Sequence, residues 1–342
     1  MDLGTLLIRT DANLSVGTGH VMRCFALARF WLGAGGRAAF AIAEIPDPLR
    51  SRLVSEGFSL RPITATPGSS EDAAEAIAHA RRLNAAWVVV DGDHFVDDFV
   101  AALRFGGLRV LLIDDFGDRV ASSPALILNP NLGASEETYR ERGFTGRVLA
   151  GPRYALLRPE FSNAPANHQE GPGNRVLITL GGSDPENLTP RIASALSDCG
   201  GFELTVVAGA GYPHIAELRA MAAPDCRVIF DSPNMADLMQ EADLAVIAAG
   251  GTLWELLAVG CVVLSYSRNI VQKQVMERLA EEHVVVDLGD TADFSPTALV
   301  SAVRKLSGSA SARVQMSRLG RDMVDGLGAS RVVEVLRAGA TS

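Results

Sequence analysis

Two series of short apolar runs, each alternating with helix-patterned segments, constrain the fold of this 342-residue chain more than any other feature. In the first series, residues 5–8, 38–43, 87–91, 109–114 and 125–129 read as strands. Helices fall near 19–32, 48–55, 71–83 and 97–105. Apolar runs of this length, spaced by helical patterns, predict a parallel sheet covered on both faces. The pattern lapses at 161–174, a stretch rich in Asn, Pro and Gly that reads as a linker. The second series has strands at 176–180, 203–208, 227–230, 244–248, 261–265 and 284–287, with helical segments from 297 to the end. The expected fold is α/β, with a first domain over 1–160 and a second over 175–342. Each is a Rossmann-like doubly wound sheet, the two facing across a cleft, and the last helix is a candidate to pack back on the first domain. At this length two domains of ordinary size are expected, and 48% hydrophobic against 21% charged residues supplies a core for both.

The first strand feeds the most distinctive stretch, Arg9-Thr-Asp-Ala-Asn-Leu-Ser-Val-Gly-Thr-Gly-His-Val-Met-Arg-Cys24. Val21, Cys24, Phe25, Ala28 and Trp31 recur at helical spacing, so a helix starts near Gly19. Gly17 and Gly19, flanking Thr18, have no Cβ to keep a ligand from the backbone. His20 then falls on the first turn of a helix, at the carboxyl end of a first strand, where open α/β sheets bind ligands. Local capping or packing is one reading of this histidine. Chemistry is the other, favoured by the cleared space around the ring and by Asp11, which is expected to orient it. A helix N-terminus opposes protonation of the ring, as a general base requires.

Other strands also end in polar residues, at Asp91-Gly-Asp-His94, Asp114-Asp-Phe-Gly-Asp-Arg119 and Asn129-Pro-Asn131. Each alone could be a turn in which Asp and Asn bond their own backbone. Together they line one edge. In the second half, Val176 to Asn187 runs strand, Gly181-Gly182, then a helix start with Ser183 or Asp184 as N-cap and Pro185 at the first helical position. Ala248 to Glu255 repeats the arrangement around Gly250-Gly251-Thr252. Free N–H groups at such helix starts bind phosphate oxygens. Glu255, one turn further on, is within reach of ribose hydroxyls. Neither turn matches the dinucleotide-binding or P-loop patterns.

Cys24, Cys199, Cys226 and Cys261 lie far apart and read as reduced core residues, without metal-ligand spacing. Asp91 and Asp93 alone are weak evidence for a cation. No metal or cofactor is expected. A net charge of −9 argues against a nucleic-acid partner. The start of the sequence lacks a basic flank with an apolar stretch, and no apolar run reaches spanning length, so a cytoplasmic protein without a membrane partner is expected.

The 9–27 stretch, the Gly181-Gly-Ser-Asp-Pro185 turn and Gly250-Gly-Thr-Leu-Trp-Glu-Leu256 together resemble the nucleotide-sugar hydrolases of pseudaminic acid biosynthesis. These act on UDP-2,4-diacetamido-2,4,6-trideoxy-β-L-altropyranose and are relatives of the B-fold glycosyltransferases. The resemblance implies a small-molecule UDP-sugar substrate and a role in nonulosonate supply for flagellin glycosylation. It makes His20 the base that activates water at the anomeric carbon, with Asp11 and Gly17, Thr18 and Gly19 around it. Gly250, Gly251 and Thr252 would hold the diphosphate and Glu255 the ribose. Met235 falls in the segment next to the uracil, and Gly182, Ser183 and Asp184 in a loop facing the cleft. The family commonly has an Asn-Gln pair where this chain has Val271-Gln272, so Gln272 keeps its place and one amide is lost. The expected reaction is metal-independent hydrolysis with inversion. The alternatives are an inverting glycosyltransferase, in which an acceptor hydroxyl replaces water, and a non-catalytic nucleotide-sugar binding protein.

Overall fold

The computed structural model describes residues 3–13, 16–117, 124–162, 171–182, 184–209, 211–232 and 234–340. The chain divides into two compact units, Met1–Pro159 with Leu327–Ser342, and Glu160–Gly326.

The first unit runs β1 (Thr5–Thr10), α1 (Gly19–Gly33), β2 (Arg37–Ile42), α2 (Asp47–Ser55), β3 (Ser59–Pro62), α3 (Ser70–Arg82), β4 (Ala85–Asp91), α4 (Asp97–Phe105), β5 (Val110–Ile113), β6 (Leu126–Asn129), α5 (Glu136–Glu141) and β7 (Arg147–Ala150). Its seven strands are all parallel, in the order β3-β2-β1-β4-β5-β6-β7. β1 is buried along its whole length, as a strand covered on both faces must be. Helix α1 turns Val21, Cys24, Phe25, Ala28 and Trp31 into the core. Two strands escape the apolar-run reading, β3 and β7. They are the edges of the sheet, four residues each and partly exposed, so neither carries a continuous apolar signal.

A short helix, α6 (Pro159–Ser162), leads into the second unit. There follow β8 (Arg175–Thr179), α7 (Leu188–Cys199), β9 (Glu203–Ala208), α8 (Ile215–Ala220), β10 (Cys226–Phe230), α9 (Met235–Glu241), β11 (Leu244–Ala248), α10 (Gly251–Val259), β12 (Val262–Ser267), α11 (Ile270–Glu281), β13 (Val285–Asp290), α12 (Pro296–Ser307) and α13 (Ala310–Met323). The parallel strand order is β10-β9-β8-β11-β12-β13. The last helix, α14 (Gly328–Ala340), is counted with the first unit, where Trp87 Nε1 donates to Leu336 O at 3.0 Å. Of the expected linker, Phe161 is buried in α6, and residues 163–170 lie outside the described residues.

One helix start differs from the sequence reading. α7 begins at Leu188, and Pro185 lies in the turn before it. Asn187 is left-handed (φ 47°), and the Asp184 carboxylate reaches forward to the N–H groups of Leu188 (3.2 Å) and Thr189 (2.8 Å). Asp184 therefore caps the helix from four residues away. Pro190 in the first turn has no N–H to leave unpaired.

Candidate active site

In both units the strand order reverses between two central strands, β1 and β4 in the first, β8 and β11 in the second. Ligands of open α/β sheets bind at the carboxyl ends of such a pair. In the first unit, Thr10 pairs with Asp91 and Asp91 with Ile113, which brings Asp11, the residues after Asp91 and Asp114-Asp115 to one edge. Asn13 and Gly17 close a tight loop there, with Gly17 N donating to Asn13 O at 2.9 Å. Gly17 has φ +71°, and a Cβ at Gly17 or Gly19 would meet nothing within 4 Å. Leu14 and Ser15 of this stretch lie outside the described residues. His20 follows in the first turn of α1, half-buried, and the N-cap residue Thr18 makes no side-chain capping bond.

Asp11 does not pair with His20. Its Oδ1 accepts from the backbone N–H groups of Ala43 (2.8 Å) and Glu44 (3.1 Å), and its Oδ2 meets Arg9 Nη1 (2.7 Å) and His94 Nε2 (3.2 Å). Arg9, fully buried, also grips Asp72 with two bonds of 2.8 Å. Burial opposes ionisation of Asp11, yet the bonds from His94 and Arg9 and the Arg9 charge hold its carboxyl well below the usual carboxylate range. The expected orienting role thus falls on a different imidazole. Adjacency in sequence suggested His20; the turn of the chain at the end of β1 points the carboxylate to the loop after β4.

His20 has another acidic neighbour. Arg23, one helical turn beyond it, forks across Asp91 (2.6 and 2.8 Å) and Asp115 (2.8 and 2.9 Å). Burial alone would raise the Asp115 carboxyl, but Arg23, His20 and a bond from Asn131 outweigh it and lower it. Cys24 lies under the same cluster, its thiol raised well above the usual range by burial and by the Asp91 charge. Asp114 ties its own loop, accepting from Phe116 N, Gly117 N and Tyr139 Oη. Asp118 and Arg119 lie outside the described residues. Arg23 stands inside the stretch singled out from sequence, three residues after His20, yet nothing local reveals carboxylate partners 68 and 92 positions away.

In the second unit, Thr179 pairs with Ile247 and Ala248 with Tyr266, so the two glycine turns and the end of β12 leave the sheet side by side. Gly182 O accepts from Gly211 N at 3.0 Å, and a Cβ on Gly209 would come within 2.6 Å of Gly182 Cα. Ser183 lies outside the described residues. Arg268, unassigned from sequence, binds Leu180 O (3.0 Å), Asp184 (3.4 Å) and Glu186 (3.0 Å), so Asp184 has a helix cap and an arginine as partners. Gln272 is partly committed too: its Oε1 accepts from Arg268 N at 2.9 Å, while its own N–H donates to Asn269 Oδ1. Gly250 is the N-cap of α10 with no side-chain cap, and a Cβ at Gly251 would meet nothing within 4 Å. The first backbone N–H groups of α10 therefore open at the switch point, with Thr252 and Glu255 half-buried on its first turns. Met235, also half-buried, starts α9, which packs on α10.

No family model matches the chain. It is 27% identical over 237 residues to the spore coat polysaccharide biosynthesis protein SpsG of Bacillus subtilis, across 67% of this chain and 69% of that one. It is 27% identical over 277 residues to the UDP-2,4-diacetamido-2,4,6-trideoxy-beta-L-altropyranose hydrolase of Campylobacter jejuni, across 77% of this chain and 92% of the hydrolase. The spinosyn rhamnosyltransferase SpnG, solved with thymidine diphosphate, aligns with 97% of this chain and 99% of its own at a TM-score of 0.67 and 16% identity. The fold is that of the B-type glycosyltransferases. Within this B-type fold the His20 turn belongs to the first Rossmann-like domain and the Gly250 turn to the second. Among the described residues no group of three or more His, Cys, Asp or Glu is placed to hold a metal ion, and no helix is long and apolar enough to cross a membrane.

Proposed function

We propose that the protein is an enzyme acting on nucleotide sugars, and that it hydrolyses a UDP-linked 2,4-diacetamido-2,4,6-trideoxyhexose to the free sugar and UDP. The likeness to the Campylobacter hydrolase along 92% of that chain supports the substrate class. The observation that carries the chemistry is His20, half-buried on the first turn of α1 and preceded by two glycines with open space above them. The diphosphate is received by the N–H groups of Gly250, Gly251 and Thr252, the ribose by Glu255 and the uracil side by Met235. Asp184 serves by holding the turn after β8 through Arg268, which also binds Leu180 O, with Gln272 steadying Arg268.

As the anomeric carbon–oxygen bond lengthens, positive charge grows on the ring and negative charge on the diphosphate. His20 takes the proton of a water attacking opposite the departing UDP, so the product sugar is inverted. UDP is an acidic leaving group and needs no protein acid, while fixed backbone donors at α10 stabilise its charge. Proton NMR of the protein with this UDP-sugar, in chelator and without an acceptor, is expected to give inverted free sugar and UDP. Replacing His20 by Leu should lower turnover by roughly 10² or more with UDP affinity kept. Unchanged substrate, with turnover appearing only on addition of a sugar acceptor, would make the protein a transferase.

A further inference from the structure

The carboxylate-oriented histidine of the first unit is His94, a residue with no part in the proposed proton transfer. Its ring lies on the loop after β4, at the same switch point as His20, with a 28% exposed side chain. Three features fix it there. Nε2 is 3.2 Å from Asp11 Oδ2. The ring packs on Phe95 at 4.0 Å between centroids. Two glycines underlie it, for a Cβ on Gly92 would come within 3.0 Å of the His94 Cε1, and one on Gly68 within 2.5 Å of the His94 carbonyl oxygen. Behind Asp11 stands the buried Arg9–Asp72 pair, with Gly68 N donating to Asp72 at 2.8 Å. A fully buried arginine spanning two carboxylates is a costly arrangement when packing alone is needed.

The chemistry of the ring follows from its partner. Asp11 is ionised and can only accept, so Nε2 carries the hydrogen and donates it. In the neutral imidazole this leaves Nδ1 with a lone pair, and no described residue bonds to it. An acceptor suits the N–H of an acetamido group or the O–H of a sugar, and it does not suit a phosphate oxygen, which needs a donor. We propose that His94 contacts the sugar of the nucleotide-sugar substrate, accepting a hydrogen bond from an amide N–H or hydroxyl at Nδ1, with Asp11 as the residue that sets its tautomer. The proposal rests on the nucleotide-sugar reading and names a sugar-recognising residue within it. It also gives Asp11 a role through His94.

The test measures binding by calorimetry in a His20→Leu background, so that no substrate turns over. The probes are the UDP-linked diacetamido-trideoxyaltrose and UDP itself. His94→Ala should weaken the UDP-sugar by about tenfold, the worth of one buried hydrogen bond, and leave UDP unchanged. His94→Asn offers a carbonyl oxygen near the place of Nδ1 and should recover most of the loss, which a packing role would not do. Asp11→Asn should weaken the UDP-sugar selectively as well, because an amide no longer fixes which ring nitrogen holds the hydrogen. Equal affinity of parent and His94→Ala for the UDP-sugar overturns the proposal, as does parallel loss of UDP or failure of Asn to rescue. If the parent binds UDP but gains nothing from the sugar, the substrate reading itself has failed. That result is distinct from one in which only the His94 variants are silent.

Discussion

Arg9 shows how much of the first unit's stability is lodged in one side chain. It is fully buried between Asp11 and Asp72, whose side chains are 2% and 0% exposed. Replacing it by Met keeps volume and strands two buried carboxylates, so the first unit should lose about 3–5 kcal/mol. Trp31 and Trp87 lie in that unit and Trp254 in the other. Urea unfolding followed by tryptophan fluorescence in a Trp254→Phe background therefore reads this loss alone. Asp11 adds a pH dependence. Its folded-state pKa is depressed, so its contribution is complete above the ordinary aspartate value of about 3.9 and is lost as pH falls through the lower folded value. The unfolding midpoint of the first unit should fall on acidification below about pH 4, and Asp11→Asn should flatten that limb. A wild-type midpoint indifferent to acid would contradict the geometry of the Arg9 cluster.

At the level of elements, the glycine turns of the second unit give a sharper handle than their side-chain neighbours. A Cβ on Gly209, after β9, would stand 2.6 Å from Gly182 Cα and 2.8 Å from Gly182 O, both backbone atoms that cannot swing away. Gly209→Ala must push the turn after β8 from its place, and UDP should bind about tenfold more weakly by calorimetry, with Trp31 and Trp87 unfolding unchanged. Elements of this kind were legible in the sequence wherever a strand is central and its helix is largely apolar. β1 with α1 and β11 with α10 are of that sort, because burial on both faces writes a continuous apolar run. The edge strands β3 and β7 were not legible, being short and half-wet. The start of α7 escapes the local pattern because Asp184 caps across a turn containing two left-handed residues, Asp184 and Asn187. The Asp11–His94 pair spans 83 positions, and only the parallel register of β1 with β4 brings it together. Local adjacency favoured His20 and could not have revealed this.

Over the whole molecule, the chain leaves its first unit at Pro159 and returns at Leu327. Helix α14 supplies Ala329, Val332, Val333 and Leu336, all 0–4% exposed, to the core that contains Leu6, Trp31 and Trp87. Full burial of a Val or Leu side chain is worth about 1.5–3 kcal/mol, so these three aliphatics contribute roughly 5–9 kcal/mol. A whole domain has about 5–15 kcal/mol to lose. A fragment of residues 1–159 should therefore lack fixed tertiary structure, read as absent near-ultraviolet dichroism and a collapsed amide NMR spectrum, whereas residues 160–326 should fold alone. The two crossings are held close within the second unit, where Ser162 Oγ donates to Gly326 O at 2.7 Å. A Gly/Ser linker of about six residues, with a mean span of roughly 13 Å, can thus join 159 to 327. That fusion should restore the dichroism and dispersed spectrum of the first unit. A folded 1–159 fragment would mean that α14 covers a core already complete; an unfolded fusion would mean that the first unit needs the second to form.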